Sequence, residues 1–211
     1  MIKQNRLKII VSFLITAIPL IVGLILWNKL PDKIATNFDW NGNVSGYSSK
    51  MFTVLGLPLI LITANFVCII ATSADPKIKN ISKGLFSVII SIIPVCSLFC
   101  SMAIYTYALG YDFNMKNITS VMLGVMFVVL GFVLPKCKQN YTVGIKLPWT
   151  LHDESNWNST HHLAGHLWIA GGIIMIIAGI LKLEILYISI VLILAIIPTV
   201  YSYVLYRRKS K

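Results

Sequence analysis

Residues 7–27 read LKIIVSFLITAIPLIVGLILW. After Lys8 the run carries no charge. At about 1.5 Å of helical rise per residue it is long enough to cross a hydrocarbon core of about 30 Å. Lys3 and Arg6 precede it, as basic residues precede a secretory signal. The run is too long for a signal's apolar region and no small-x-small site follows, so it is expected to stay as a first membrane helix. Five further apolar runs lie near 52–72, 85–109, 118–134, 163–181 and 185–206, the fourth span (118–134) being the shortest. Each must be helical, because an open strand edge in hydrocarbon leaves backbone N–H and C=O groups unpaired. The fold class read from this pattern is an all-α integral membrane protein with six transmembrane helices.

The rest of the composition agrees. The chain of 211 residues is 57% hydrophobic and 12% charged, where soluble domains carry about 25% charged residues. Its mean hydropathy is +0.80. The net charge of +11 would suggest nucleic acid in a soluble protein, but its distribution along the spans says otherwise. With the N-terminus inside, Lys3, Arg6, Lys8, Lys77, Lys79, Lys83, Lys136, Lys138, Lys146, Arg207, Arg208, Lys209 and Lys211 are cytoplasmic. Lys29, Lys33, Lys50, Lys116 and Lys182 are outside, so the 18 basic residues divide thirteen to five. The positive-inside rule then places both termini in the cytoplasm. The basic tail Arg207-Arg208-Lys209 reads as an anchor on anionic lipid rather than a nucleic-acid contact. Short connections, including a tight turn at Lys182–Glu184, indicate one six-helix membrane domain over 1–211. Its two long loops are an extracytoplasmic one at 28–51 and a cytoplasmic one at 135–162.

No Asp, Glu, Lys or Arg lies deep in a span. Proton-coupled carriers usually need such groups, so the pattern argues against one and leaves channel or lipid-binding roles open. Pro19, Pro58, Pro94 and Pro198 are read as prolines inside helices, which membrane helices tolerate. Gly171-Gly172 and Ala178-Gly179 are read as close-packing positions. Cys68, Cys96 and Cys100 fall within spans as small hydrophobes, and Cys137 falls at the cytoplasmic face.

Residues 140–168, NYTVGIKLPWTLHDESNWNSTHHLAGHLW, hold all four histidines and three of the five tryptophans. His162 and His166 would share a helix face, with His161, His152, Asp153 and Glu154 near them in sequence. That would suit zinc, which takes three protein ligands in catalytic sites. HHLAGH nevertheless lacks the glutamate of H-E-x-x-H. Ser155, Ser159 and Thr160 lack the G-x-S-x-G elbow that exposes a nucleophile, and no nucleotide-binding glycine loop is present. What remains is an ordered surface element. Gly144 and Pro148 punctuate it, and Thr150, Asp153 or Ser155 can cap a short helix carrying Trp157 and His161. Trp149, Trp157 and Trp168 suit the membrane interface or a protein contact. In the outer loop, Asn41-Gly42 and Ser45-Gly46 offer turn chemistry, and Trp40 and Tyr47 suit the headgroup layer.

Two motifs carry a family resemblance. Leu30-Pro31-Asp32-Lys33-Ile34-Ala35-Thr36, followed by Gly42, Gly46 and Lys50, resembles the extracytoplasmic signature of a widespread membrane domain of unknown function. Asn140, Gly144-Ile145-Lys146, Pro148-Trp149-Thr150-Leu151, Trp157, Thr160-His161 and Gly165 resemble the N-x-x-x-G-I-R-T-P-W-T-L…W…T-H…G loop of the SdpI family of membrane immunity proteins. The chain departs from these patterns at three places. Asn37 stands where a His is expected, Lys146-Leu147 where Arg-Thr is usual, and His162 where Arg is common. Lys does not reproduce the planar donor fork of Arg, so an anion contact at that position is not carried over.

The resemblance implies a non-enzymatic protein of the cell membrane that protects its cell from a secreted toxin peptide. It also implies capture of a small helix-turn-helix repressor on the cytoplasmic side. Membrane lipids are the remaining partner, with no cofactor and no direct nucleic-acid contact. A second reading makes regulator capture the main activity. A third is a zinc-dependent membrane enzyme built on His162 and His166.

Overall fold

The computed structural model describes residues 2–39, 41–111, 113–183 and 186–209, apart from the side chains of Lys3 and Leu186. Trp40, Glu184, Ile185 and Lys211, each used above, lie outside the described residues. The elements are α1 (Arg6–Ile25), β1 (Lys33–Phe38), β2 (Val44–Ser49), α2 (Leu57–Ser73), α3 (Lys83–Ala108), α4 (Met115–Val133), α5 (Pro148–His152), α6 (Glu154–Leu181) and α7 (Leu186–Lys209). Among the described residues, six helices are long and apolar enough to cross a membrane, namely every helix except α5. Their outer faces are bare hydrocarbon: Leu7 is 75% exposed and Ile25 76%. Water would penalise such patches, whereas lipid solvates them.

The chain packs as two compact units. One is Met1–Ala74 with Phe86–Met115, and the other is Asp75–Leu85 with Lys116–Lys211. The first holds a polar cluster inside its apolar helices. Ser12 donates to the Ile90 carbonyl at 2.9 Å, and the Asn65 amide donates to Ser12 Oγ at 2.8 Å and Thr16 Oγ1 at 3.3 Å. Ser97 donates to the Thr16 carbonyl at 3.3 Å. Such bonds join membrane helices where no water competes. A hydrophobic core in the same unit gathers Leu30, Ile34, Val54 and Tyr105. Gly23 leaves room there for the Tyr105 hydroxyl, which reaches the Pro19 carbonyl at 3.2 Å.

Strands β1 and β2 pair as an antiparallel hairpin, where the sequence pattern suggests only a loop. Lys33 pairs with Ser49, Ala35 with Tyr47 and Phe38 with Val44, and the register shifts around Asn37. Only one of the two turn signals makes the turn. Gly42 takes φ 83°, as its missing side chain permits. Ser45-Gly46 lies within β2 instead, with Gly46 opposite Asn37. Ser49 ends the hairpin by accepting the Phe52 N–H at 3.2 Å.

Pro58 lies inside the second span, Phe52–Ser73, as its sequence reading expects. A π-helical turn at Phe52–Gly56 leads without a break into α2, of which Pro58 is the second residue. Pro19, Pro94 and Pro198 also lie inside helices.

In the second unit a seam of glycines brings α4 against α6. A Cβ on Gly124 would lie 2.7 Å from the Gly172 carbonyl oxygen, and one on Gly131 would lie 2.8 Å from that of Gly165. Gly179 continues the seam against Val121 and Asn117. The seven-residue spacing keeps Gly165, Gly172 and Gly179 on one face of α6. Gly171, one residue round the helix, instead admits Leu194 of α7. The adjacent glycines thus serve two different neighbours.

Candidate functional site

Helix α6 begins at Glu154, nine residues before the expected fifth span. Trp157, Thr160, His161 and His162 are therefore part of a long helix, not of a loop carrying a short one. Asp153 starts α6 by accepting the N–H groups of Ser155 at 2.9 Å and Asn156 at 3.2 Å. Lys209, from the end of α7, meets the other Asp153 oxygen at 2.7 Å. That ammonium holds the Asp153 carboxyl below its ordinary value; the Asn156 and Ser155 N–H donors add to this, and burial opposes it.

Ahead of α6, residues 137–147 wrap around Trp157. The indole is fully buried and donates to the Cys137 carbonyl at 2.7 Å. His161 stacks on it with ring centroids 4.0 Å apart. Nδ1 of His161 bonds the Trp157 carbonyl at 2.7 Å, and Nε2 accepts the Ile145 N–H at 2.9 Å. A neutral ring protonated on Nδ1 satisfies both partners and leaves no nitrogen lone pair for a metal. Gly144 passes this stack at φ +123°, and a Cβ there would run into His161 Nε2.

Asn140 is fully buried and uses its whole amide. Its oxygen accepts the N–H groups of Thr142 and Val143, and its nitrogen donates to the Lys138 carbonyl and Cys137 Sγ. Thr150 accepts the Leu147 N–H at 2.9 Å, which closes the start of α5, and its own proton goes to the Ile145 carbonyl at 2.8 Å. Pro148 opens α5, where its fixed φ suits the first turn. Trp149 donates to Ser202 on α7 at 2.7 Å and stacks on Tyr206. Thr160 donates to Asn156 Oδ1 at 3.0 Å. Gly165 lets Pro135 approach, since a Cβ would lie 2.5 Å from the proline ring.

Five of the motif residues pack within the fold and do not face a partner. Asn140, Thr150, Trp157, Thr160 and His161 are at most 1% exposed. Lys146, Pro148 and His162 are exposed. The Lys146 ammonium caps the Tyr141 and Thr142 carbonyls at 3.1 and 3.2 Å. His162 and His166 do share an outer face of α6, with ring centroids 5.9 Å apart. Among the described residues, no three His, Cys, Asp or Glu side chains gather where one metal ion could bind. His161, the histidine next to that pair, is committed to Trp157 and Ile145.

Several residues of this region were not singled out from sequence. Asp75 accepts the N–H groups of Lys77 and Tyr141 and the Thr142 hydroxyl. The Lys77 ammonium donates to Gln139 Oε1, and Gln139 Nε2 reaches the Thr150 carbonyl at 2.8 Å. Asn156 bonds both the hydroxyl and the carbonyl of Ser202. A signal for Asp75 is present: it is the one acid between α2 and α3, in a connection that carries Lys77 and Lys79. Burial pushes the Cys137 thiol up, so it behaves as an inert packed group rather than a thiolate.

The outer motif is more open. Asp32 bridges Lys50 at 3.0 Å, and Lys50 also lies over the Trp27 ring. Asp39 accepts the N–H groups of Asn43 and Asn41, which holds its carboxyl below the ordinary value and fixes the tip before Gly42. Pro31, Asp32, Asn37 and Tyr47 are exposed, while Ile34 and Ala35 are buried.

Residues 136–202 match the SdpI/YfhL protein family, and residues 14–62 match a domain of unknown function (DUF1648). The immunity protein SdpI of Bacillus subtilis is 26% identical over 209 residues, covering 95% of this chain and 97% of its own. The resemblance to the SdpI family therefore stands. It extends over both motif regions, and with the six apolar helices it makes this chain a multi-pass protein of the cell membrane. Human olfactory receptor 6Y1 is 30% identical over 102 residues, 47% of this chain and 31% of the receptor. That partial likeness carries no functional argument. No solved structure matches the chain at a comparable level.

Proposed function

We propose that the protein is a non-enzymatic membrane immunity protein that shields its cell from a secreted toxin peptide. The observation that carries this reading is the near end-to-end similarity to an immunity protein, with coverage of 95% and 97% of the two chains. The thirteen-to-five division of basic residues supports cytoplasmic termini. On that reading the hairpin of residues 33–49 lies on the outer side and residues 135–162 on the inner side. The outer loop then meets the peptide with Pro31 and Asp32 ahead of the hairpin and Asn37 and Tyr47 on it, while Gly42 and Gly46 shape it. The test is survival of toxin-sensitive cells producing this chain against a panel of secreted peptides, including those of its own host. Protection against at least one supports the reading, and killing by all of them at full membrane expression defeats it.

A second activity, capture of a small helix-turn-helix repressor, rests on the inner motif. Lys146, Pro148 and His162 are its exposed residues, so they would contact the partner. Asn140, Gly144, Trp149, Thr150, Trp157, Thr160, His161 and Gly165 hold the shape beneath them. Trp157→Ala would confuse binding with folding, so the test is Lys146→Glu with His162→Glu. Loss of repressor co-purification at unchanged protein level supports capture, and unchanged co-purification removes these residues from it. The zinc-enzyme reading has no comparable support, because its third ligand is missing among the described residues.

A further inference from the structure

Helices α1 and α3 part to leave a groove of about 290 Å³ in the first unit. Its wall on α1 is Leu7, Lys8, Val11, Ser12 and Ile15; Ser87, Ile90, Ser91, Pro94 and Val95 face them from α3. The groove has a polar end and an apolar end. At the polar end the Lys8 ammonium donates to Ser87 Oγ at 2.6 Å, and Ser91, one turn further along α3, donates its proton to the Ser87 carbonyl at 2.8 Å. Ser12 is already committed to the Ile90 carbonyl, so the walls beyond it present Ile15, Pro94 and Val95. Lys8 lies in the first turn of α1 beside exposed Arg6, and no acid in that turn offsets them. The apolar end runs deeper along the span.

We propose that this groove holds an anionic phospholipid of the surrounding bilayer. Its phosphate would lie at the Lys8 ammonium and the Ser87 hydroxyl, and one acyl chain would run past Val11, Ile15, Pro94 and Val95. Charge complementarity selects the occupant: a basic pocket between membrane helices attracts an anionic headgroup, and each basic residue near the surface contributes about 1 kcal/mol, roughly a fivefold preference. A zwitterionic lipid gains no such net attraction. An apolar peptide would leave the Lys8 end without an anion.

The experiment uses the full chain in nanodiscs of equimolar phosphatidylglycerol and phosphatidylcholine with matched acyl chains, released into native mass spectrometry. The expected result is one retained phosphatidylglycerol, favoured about fivefold over phosphatidylcholine. Lys8→Ala should abolish the preference, and Val11→Trp, which fills the groove, should abolish retention. Lys29→Ala, away from the groove, should change neither. Photoactivatable phosphatidylglycerol on the unaltered chain gives an independent readout, with labels expected within 7–15 and 87–95. Equal retention of both lipids, a preference indifferent to Lys8, labels confined elsewhere, or a retained peptide in place of lipid each overturn the proposal.

Discussion

The hairpin at 33–49 and the stretch 137–165 carry the two sequence motifs, and they direct their polar groups oppositely. In the hairpin region the chemistry faces outward: the Asp32 side chain is 98% exposed in its bridge to Lys50, and Tyr47 is 64% exposed. Around Trp157 it faces inward, where Asn140 and His161 bond backbone groups with every polar atom they have. A motif residue can therefore mark a partner contact or the framework that shapes one. Exposure, not residue type, separates the two.

If that contrast is right, substitutions in the two regions should differ first in stability. Trp157→Ala should have the largest effect, about 3–5 kcal/mol from the lost core volume, with the Cys137 carbonyl deprived of its indole donor. Fluorescence-detected gel filtration in detergent should show little folded protein. Gly144→Ala combines a positive φ with a clash against the Trp157–His161 stack. Strain alone is worth about 1–3 kcal/mol, so its thermal midpoint should fall clearly. Gly165→Ala pushes a methyl into Pro135 and the Gly131 carbonyl, and overpacking of about 1–3 kcal/mol should lower the midpoint and loosen the α4–α6 seam.

Asp153 gives a smaller and pH-dependent effect. Its folded carboxyl is held below the ordinary 3.8 by Lys209. Its contribution is therefore complete above 3.8 and is lost as pH falls through the lower folded value. The pair is partly exposed, so less than about 1 kcal/mol is expected, shrinking in salt. Asp153→Asn should flatten that acid portion of a thermal-stability titration, and an unchanged slope would assign it to other groups. Tyr47→Ser is the smallest case, expected within about 0.5 kcal/mol of the parent. It sharpens the contrast by leaving stability intact while reducing protection.

The helical spans were legible because lipid imposes length and apolarity, and α1, α3 and α4 begin within three residues of their expected starts. The fifth span starts earlier than its hydropathy suggests, for a physical reason. Hydropathy registers Asn156, Thr160 and His161 as polar, but not that Ser202, Asn156 itself and Ile145 satisfy them inside the fold. The hairpin is hard to read because its short strands carry Thr, Asn, Ser and Gly between apolar positions. The glycine seam is readable from the seven-residue spacing of Gly124 and Gly131 and of Gly165, Gly172 and Gly179, whereas the small-residue pairs Gly171-Gly172 and Ala178-Gly179 alone do not name the facing helix. At the inner motif the sequence marks the right residues, but only packing separates buried Trp157 from exposed Lys146.

Survival of toxin-sensitive cells producing the unaltered chain or the Tyr47→Ser variant, at matched membrane levels, tests the central claim most directly. The expected result is protection by the parent chain against at least one secreted peptide, and a marked loss with the variant. Killing of both strains by every peptide would contradict the immunity function. Full protection by the variant would contradict the hairpin as its outer contact.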